Sequence, residues 1–512
     1  HKVRAKSMNL KIVQCNVNNF LLWPELESLS KVLINKDEKM NIFNKEIQKS
    51  SHRWGSIGIG MFCLMSLSLT GCKSLYGTYE RPEVKTEGIV RDPVNNQAAL
   101  EGTNDFGNLP WKSVFTDPHL QTLISKSLEN NPDLLNAALN VDMAEAQLKT
   151  AKLAFLPSVA ISPQGTLSHF GSHVEATKSY TLPVVASWDV DLFGKLRNSK
   201  QAAAASLLQT QDYKVAVQTR LICNVANLYY SLLMLDRQLE IVNDMEGLTK
   251  DTWDMMKLQM QFGRARSTSV QSAEAAYYSV KTQGVSLKQQ IRESENSLSL
   301  LLGEPAHAIA RGKLDGQSLP ENYSKGVGVE LLSNRADVHA NEMALAACFY
   351  DVQKARGNFY PSLTIQGTGG WSNGSGLVNP AKLLLQAVGS LTQPIFMKGQ
   401  LIAALRVAED QYKQAYNNWQ NSILSAGSEV SNALVAYNSA KESDELEQHR
   451  IEVLKQNLKD TEMLYKQSSS TYLEVITAQQ NLLNAEINQV QDQFSKLQSI
   501  VNLYYALGGG SK

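Results

Sequence analysis

Residues 180–192 read Tyr-Thr-Leu-Pro-Val-Val-Ala-Ser-Trp-Asp-Val-Asp-Leu, and the pattern in this stretch points to the fold. Every even position holds an apolar or aromatic residue, whereas the odd positions include Thr181 and Asp189. This alternation predicts a strand with one apolar and one polar face. Tyr180 and Trp188 lie on the apolar face, roughly 26 Å apart along a strand. That separation is typical of the two aromatic girdles of a membrane β-barrel, although a strand of a soluble sandwich would show the same alternation.

The neighbouring sequence predicts four strands in two hairpins. Three further stretches alternate more weakly: 159–170, 363–371 and 383–395. Polar or Gly- and Ser-rich loops at 171–178 and 372–382 separate the strands, so the hairpins span about 159–192 and about 363–395. Membrane barrels need about eight strands or more, and an open edge in lipid costs several kcal/mol per unpaired group. The sequence therefore predicts that several copies associate, without choosing between two and three.

The same signals occur twice along the chain. The repeated positions are Phe155-Leu156-Pro157-Ser158 with Phe359-Tyr360-Pro361-Ser362, Asp133 with Asp337, Leu192-Phe193 with Ile395-Phe396, and Leu302-Gly303 with Leu507-Gly508. All of these pairs are offset by 203 to 205 residues. A constant offset over so long a stretch indicates an internal duplication. The predicted repeats are 118–304 and 336–508, joined by a connector at 305–335.

Proline distribution predicts long helices in both halves. No proline occurs between Pro183 and Pro305 or after Pro394, and Lys195–Glu246 also lacks glycine. Because proline breaks helices, these stretches favour helices, and 52 continuous residues would reach roughly 78 Å. The stretches 248–302, 400–466 and 472–506 have the same character. Helices of this length are typical of coiled coils or tubes. Together with the two alternating hairpins, they indicate a fold that is mainly α with membrane β.

The composition argues against several classes of protein. Lys+Arg and Asp+Glu both total 49, so nothing suggests a nucleic-acid partner. His169 and His173 fall in a strand-loop region, and no GxSxG, Walker or HExxH motif occurs, so we expect no enzyme, metal site or cofactor. Cys223 and Cys348 are expected to be small core residues rather than a disulfide.

The N-terminal region resembles the signal peptide of a bacterial lipoprotein. An apolar run of 14 residues, Ile57–Thr70, follows three basic residues and ends in Leu69-Thr70-Gly71-Cys72, which resembles a lipobox. We expect a covalent lipid on Cys72 and removal of residues 1–71, in which 1–39 form an extension upstream of Met40. Lys73 is compatible with onward transport to the outer membrane.

The whole of 72–508 resembles the TolC-type outer-membrane efflux factor family, particularly its lipoprotein branch that works with resistance-nodulation-division pumps. The residues that carry the resemblance are Gly71-Cys72, Tyr79 and Pro82, Trp111, Phe115, Asp117-Pro118, Leu120, Leu123, Asn131-Pro132-Asp133-Leu134, Leu156-Pro157-Ser158, and Trp188-Asp189-Val190-Asp191-Leu192-Phe193-Gly194. Their order, spacing and duplication agree together.

The resemblance implies a homotrimer with a 12-stranded barrel in the outer membrane and a 12-helix α-helical barrel across the periplasm. It also implies an equatorial belt formed by 72–117, 305–335 and the chain ends. The expected function is a passive exit duct for small molecules or ions, docked to a periplasmic adaptor and an inner-membrane pump. Two alternatives stay open: a duct for type I protein secretion, and a lipid-anchored periplasmic coiled-coil adaptor or scaffold.

The resemblance further places a gate at the periplasmic helix tips. Small polar residues interrupt the long helices at two places, and the candidate gate residues are Gly263, Ser267, Ser269, Gln467, Ser469, Ser470 and Thr471. Members of the family often carry an acidic residue just before a segment like Tyr472-Leu473. Because this chain has Ser469-Ser470-Thr471 there, a ring of carboxylates at the gate is in doubt.

Overall fold

The computed structural model describes residues 77–83, 106–168, 177–320, 335–372, 382–467 and 470–511. The predicted signal peptide, Cys72, the histidines 169 and 173, and Ser469 lie outside the described residues. The helices are α1 (Trp111–Val114), α2 (Pro118–Asn130), α3 (Pro132–Leu153), α4 (Lys195–Gln261), α5 (Ser267–Leu301), α6 (Ala336–Gly357), α7 (Gln400–Lys466) and α8 (Tyr472–Ala506). The strands are β1 (Ser158–Ile161), β2 (Gln164–Ser168), β3 (Thr177–Val190), β4 (Ser362–Ser372) and β5 (Lys382–Thr392).

The two halves of the chain contain matching elements. Both α4 and α7 have 67 residues, and both α5 and α8 have 35. Each 67-residue helix would extend roughly 100 Å. In each half a strand pair precedes the long helix, which then turns back into the shorter one. Helices α4 and α5 pack together, as do α7 and α8, so each half forms a long helical hairpin.

The helix predicted over Lys195–Glu246 extends beyond that stretch, because α4 continues through Gly247 to Gln261. A glycine inside a helix costs only about 1 kcal/mol relative to alanine, which the packing of neighbouring turns outweighs. The stretch 248–302 is accordingly not one helix, because a turn between α4 and α5 divides it. The bounds predicted at 400–466 and 472–506 agree with α7 and α8.

The strands form one antiparallel sheet in the order β1-β3-β4-β5, with β2 also paired to β3. The predicted strand 159–170 is divided in two, because Pro163 has no amide hydrogen to donate to the ladder. Strand β5 ends at Thr392 rather than at residue 395, just ahead of Pro394. The chain therefore supplies four strand positions built from five segments, in two hairpins.

The main core lies where α2, the middle of α4 and the end of α8 meet. Phe106 and Phe115 pack edge-on against Tyr504 at centroid distances of 5.5 and 5.8 Å. The described part of the connector, 305–320, forms neither helix nor strand and packs Ile309, Leu314 and Leu319 into this core. Cys223 is buried and Cys348 half-buried, and both are free thiols; burial raises the pKa of Cys223 to about 12.

Candidate functional site: a one-sided sheet and two helical tips

The register of the sheet separates its side chains into two chemically different faces. Paired residues of neighbouring antiparallel strands point to the same face, so each row across the sheet can be read from its pairs. The rows of one face are Leu182, Trp371 and Leu383; Val184, Gly369 and Leu385; Ala186, Gly367 and Ala387; Trp188, Ile365 and Gly389; and Val190, Leu363 and Leu391. All five rows consist of apolar residues and glycine.

The opposite face is mostly polar. Its rows include Asp189 with Thr364 and Ser390, Ser187 with Gln366, and Thr368 with Gln386. The apolar face is open, because Leu385, Leu383 and Trp371 are 77%, 63% and 51% exposed. A sheet that exposes a continuous apolar face needs a non-aqueous environment or a partner. Polar residues on the other face suit a water-filled interior.

The two predicted girdle residues lie near opposite ends of this apolar band. Trp188 is close to the helices, and its indole nitrogen donates to the carbonyl of Phe155 at 2.9 Å. Tyr180 lies towards the other end of β3, where it pairs with Gly165. Trp371 is a further aromatic residue near that end, which the sequence analysis missed. Glycines at 367, 369 and 370 weaken the alternation of β4 and conceal its outward face.

The first predicted tip is the turn between α4 and α5. Gly263 has a φ of +68°, and the amides of Gly263 and Arg264 close the end of α4 by donating to Met260 and Gln259. Ser267 is the first residue of α5, and Ser269, two residues further along, is buried. The turn therefore includes Gly263, whereas Ser269 belongs to the packed helix.

The second tip is held by a capping box. The Thr471 hydroxyl accepts from the Glu474 amide at 3.4 Å, and the Glu474 carboxylate accepts from the Thr471 amide at 3.2 Å. Ser470 also donates to this carboxylate, and the hydrogen bonds from Ser470 and Thr471 hold the pKa of Glu474 below its ordinary value. Gln467 ends α7 on the other side of the turn. The tip thus carries a carboxylate at Glu474, three residues beyond the position the sequence analysis considered.

Two hydrogen bonds join the hairpins near their tips. The Tyr465 hydroxyl on α7 donates to Gln259 Oε1 on α4 at 2.6 Å. Gln479 on α8 is 1% exposed and donates to Thr252 Oγ1 at 3.1 Å. These pairs are more than 200 residues apart in sequence, so no local signal could have indicated them. The role of any tip residue in a gate stays a prediction.

Two of the motif residues, Asp117 and Asn131, join helices of the core through hydrogen bonds. Asp117 caps α2, and its carboxylate accepts from the Tyr229 hydroxyl at 2.6 Å and from Gln317 Nε2 at 2.8 Å. Burial acts to raise the pKa of Asp117, but these hydrogen bonds outweigh it and lower the pKa. Asn131 caps α3 and donates to the carbonyl of Leu301 at 3.0 Å. These motif residues therefore position α2, α3, α4 and α5.

Two further features are absent from the ranges that the structure describes. Across these ranges, no three His, Cys, Asp or Glu side chains group in a way that could hold a metal ion. Within the same part of the chain, no helix is both long enough and apolar enough to cross a membrane.

An antiparallel sheet with one apolar face, followed in each half of the chain by a long helical hairpin, is typical of outer-membrane channels. The chain belongs to the outer membrane efflux protein family, whose model matches residues 123–304 and again residues 327–509. The match supports a channel over the alternative of a coiled-coil adaptor.

Curated relatives and solved structures agree with this assignment. The chain is 27% identical over 459 residues to the cation efflux system protein CusC of Escherichia coli K12, covering 88% of this chain and 98% of the relative. It is also 27% identical to the toluene efflux pump outer membrane protein TtgC of Pseudomonas putida, covering 87% and 95%. The crystal structure of CusC superposes with a TM-score of 0.74 at 25% identity, covering 85% of this chain and 99% of CusC. The open-state MtrE channel of Neisseria gonorrhoeae gives 0.76 at 25%, covering 85% and 98%.

The protein is therefore an outer-membrane efflux channel. The relatives named here are efflux proteins and channels rather than enzymes.

Proposed function

We propose that three copies of this chain form one continuous duct, with a 12-stranded barrel in the outer membrane and a 12-helix tunnel below it. The observation that carries the proposal is the described sheet, which has one apolar face, one polar face and two unpaired edges. Within the described sheet, β1 and β2 pair only with β3, and β5 pairs only with β4. Unpaired edges in lipid are costly, so the edge of one copy must meet the edge of another. Four strand positions per copy give twelve in a trimer.

The contact between the two halves of one chain suggests how copies meet. Phe193 of the first half stacks on Tyr360 of the second, with ring centroids 5.0 Å apart. The repeat offsets of 203 and 204 carry this pair to Phe396 and Leu156. Both of these side chains are open, at 82% and 61% exposure. If the halves arose by duplication, Phe396 of one copy packs on Leu156 of the next, in a head-to-tail ring.

Cysteine cross-linking tests this assembly. Trp188 pairs with Ile365 inside the chain, and the same offsets carry the pair to Leu391 and Ile161 of the next copy. With Cys223 and Cys348 replaced by alanine, Leu391→Cys combined with Ile161→Cys should give disulfide-linked dimers and trimers on a non-reducing gel. The matched control combines Leu391→Cys with Ala160→Cys, which lies on the opposite face. Equal cross-linking in both variants, or none at Ile161, would contradict the proposed ring.

We infer that the duct is one part of a tripartite system. A passive tube lets solute move down its gradient, so an inner-membrane resistance-nodulation-division pump would supply the energy through a periplasmic adaptor. The resemblance to the family supports this arrangement, and the tips at Gly263 and Thr471 would meet the adaptor and form the gate. Three copies of Glu474 would place carboxylates there.

The cargo proposed is small solutes, either ions or organic compounds. Relatives of equal similarity are named for cation efflux and for toluene efflux, so similarity alone does not choose between them. Export of a secreted protein is the competing cargo. Transport assays in cells lacking the gene would separate the two, because loss of small-solute resistance without loss of any secreted protein supports the efflux duct.

We also propose that Cys72 carries a covalent lipid in the outer membrane, with most of the helical part in the periplasm. Cys72→Ser should abolish labelling of the protein by a palmitate analogue, because serine cannot form the thioether. The trimer should still be recovered from the membrane, since its barrel supplies separate affinity for lipid. Cys348→Ser is the matched control and should label normally. Labelling that persists in Cys72→Ser would show that the lipobox assignment is wrong.

A further inference from the structure

The polar face of the sheet is almost free of charge. The side chains described on this face are mainly Ser, Thr and Gln, together with a few small or apolar residues. Asp189 is the only acidic residue among those described on the polar face of β1 to β5. Lys382 is in the row of Thr181 and Ser372 on the same face, eight positions along β3 from Asp189. A fixed negative charge in a lining with few other charges influences which ions enter a channel.

Asp189 lies where the sheet gives way to the helices. It is one residue from the end of β3, and α4 begins six residues later at Lys195. The Thr364 hydroxyl on β4 donates to Asp189 Oδ1 at 2.7 Å, which fixes the carboxylate against the polar face.

The nearby acidic residue, Asp191, has a structural role. The carboxylate of Asp191 accepts from the amides of Leu196 and Arg197 at 3.1 and 2.9 Å, at the start of α4. It stabilises the N-terminus of the helix, where the helix dipole favours a negative charge. Asp191 is thus used structurally, whereas Asp189 is exposed and accepts from the Thr364 hydroxyl.

We propose that Asp189 is a selectivity-determining residue of the channel. The inference rests on the proposed trimer. In this trimer, three copies of Asp189 form a ring of carboxylates facing the lumen, at the end of the barrel that adjoins the helices. Such a ring attracts cations and repels anions within about one Debye length of the wall. At physiological salt this length is about 8 Å, and in dilute salt it grows to about 30 Å, so the preference is strongest in dilute salt.

Ion selectivity in planar lipid bilayers tests the proposal. The trimer is inserted between 10 and 100 mM KCl, and the reversal potential gives the ratio of potassium to chloride permeability. Asp189→Asn keeps the size of the side chain and the bond to Thr364, and should lower this ratio about twofold, because the Debye length in these solutions is about 10 to 30 Å. Asp189→Lys should favour chloride. In 1 M KCl, where the Debye length is about 3 Å, the variants should resemble the wild type.

Thr364→Val is the matched control, because it removes the hydrogen bond but leaves the charge. Its permeability ratio should stay close to that of the wild type. If the wild-type protein forms channels and Asp189→Asn leaves the ratio unchanged in dilute salt, the selectivity role is wrong while the duct stands. If the wild-type trimer forms no channel at all, the proposed duct itself is wrong. All three variants can be checked for assembly with the Leu391–Ile161 cross-link.

Discussion

Val184→Arg is expected to prevent the trimer from accumulating in the outer membrane, while Val185→Arg is tolerated. Val184 lies in the middle of the apolar face, in a row with Gly369 and Leu385. An arginine there would enter the hydrocarbon, at a cost of roughly 2–4 kcal/mol per copy near mid-bilayer. Three copies would raise this to roughly 6–12 kcal/mol per trimer, comparable to the whole stability of many folded proteins.

Val185 is a close control, because it is the same residue type on the same strand. It pairs with Thr368, which in turn pairs with Gln386, on the polar face. An arginine at 185 would therefore meet polar neighbours and the water of the lumen. Membrane fractionation and cross-linking of the trimer provide the measurement. Equal losses of trimer at 184 and 185 would show that the apolar face does not meet lipid.

The sequence reveals much of the fold because its strongest signals are periodic. Alternation identifies β3, since every even position of 180–192 is apolar or aromatic. Helices α7 and α8 begin and end where the sequence predicts, because Pro394, Gly399 and the polar tip bound them clearly. The equal lengths of the long helices also follow from the repeat, because matching positions of the two halves keep a nearly constant offset of 203 to 205 residues.

Features that depend on contacts between distant residues cannot be predicted from local sequence patterns. Trp371 is hidden among glycines, and its outward position follows only from the register of β4 on β3. Glu474 reads as an ordinary residue of the first helical turn until the capping box brings it back to the tip. The bond between Tyr465 and Gln259 joins two helices whose relative position the sequence does not specify. Single-sequence patterns report local periodicity, whereas these features depend on tertiary packing.

A buried arginine provides a second large prediction. Arg335 is 3% exposed and precedes α6. Its guanidinium makes a bidentate pair with Asp337 at 2.9 and 2.7 Å and donates to Glu429 on α7 at 2.6 Å. It also donates to the carbonyl of Ala506 at the end of α8, at 3.2 Å. One side chain therefore joins the start of α6, the middle of α7 and the end of α8.

Arg335→Met should lower the free energy of unfolding by about 3 kcal/mol, at the low end of the range for breaking a buried ion pair. The low end applies because Asp337 and Glu429 keep 34% and 43% exposure and can be hydrated when the arginine is lost. Arg356→Met is the matched control on α6, since Arg356 is 47% exposed and forms an ion pair with the exposed Glu409 at 3.3 Å. That change should cost less than 1 kcal/mol.

The pH dependence gives an independent check on Arg335. Burial acts to raise the pKa of Asp337, but the pair with Arg335 outweighs it, so the pKa lies below its ordinary value. A carboxyl group with a lowered pKa stabilises the fold above its unfolded pKa, and this stability is lost as the pH falls through the folded value. Thermal unfolding should therefore show the largest gap between wild type and Arg335→Met near neutral pH, narrowing in acid. A gap that is no larger than that of Arg356→Met, or that widens in acid, would mean that Arg335 does not hold these helices together.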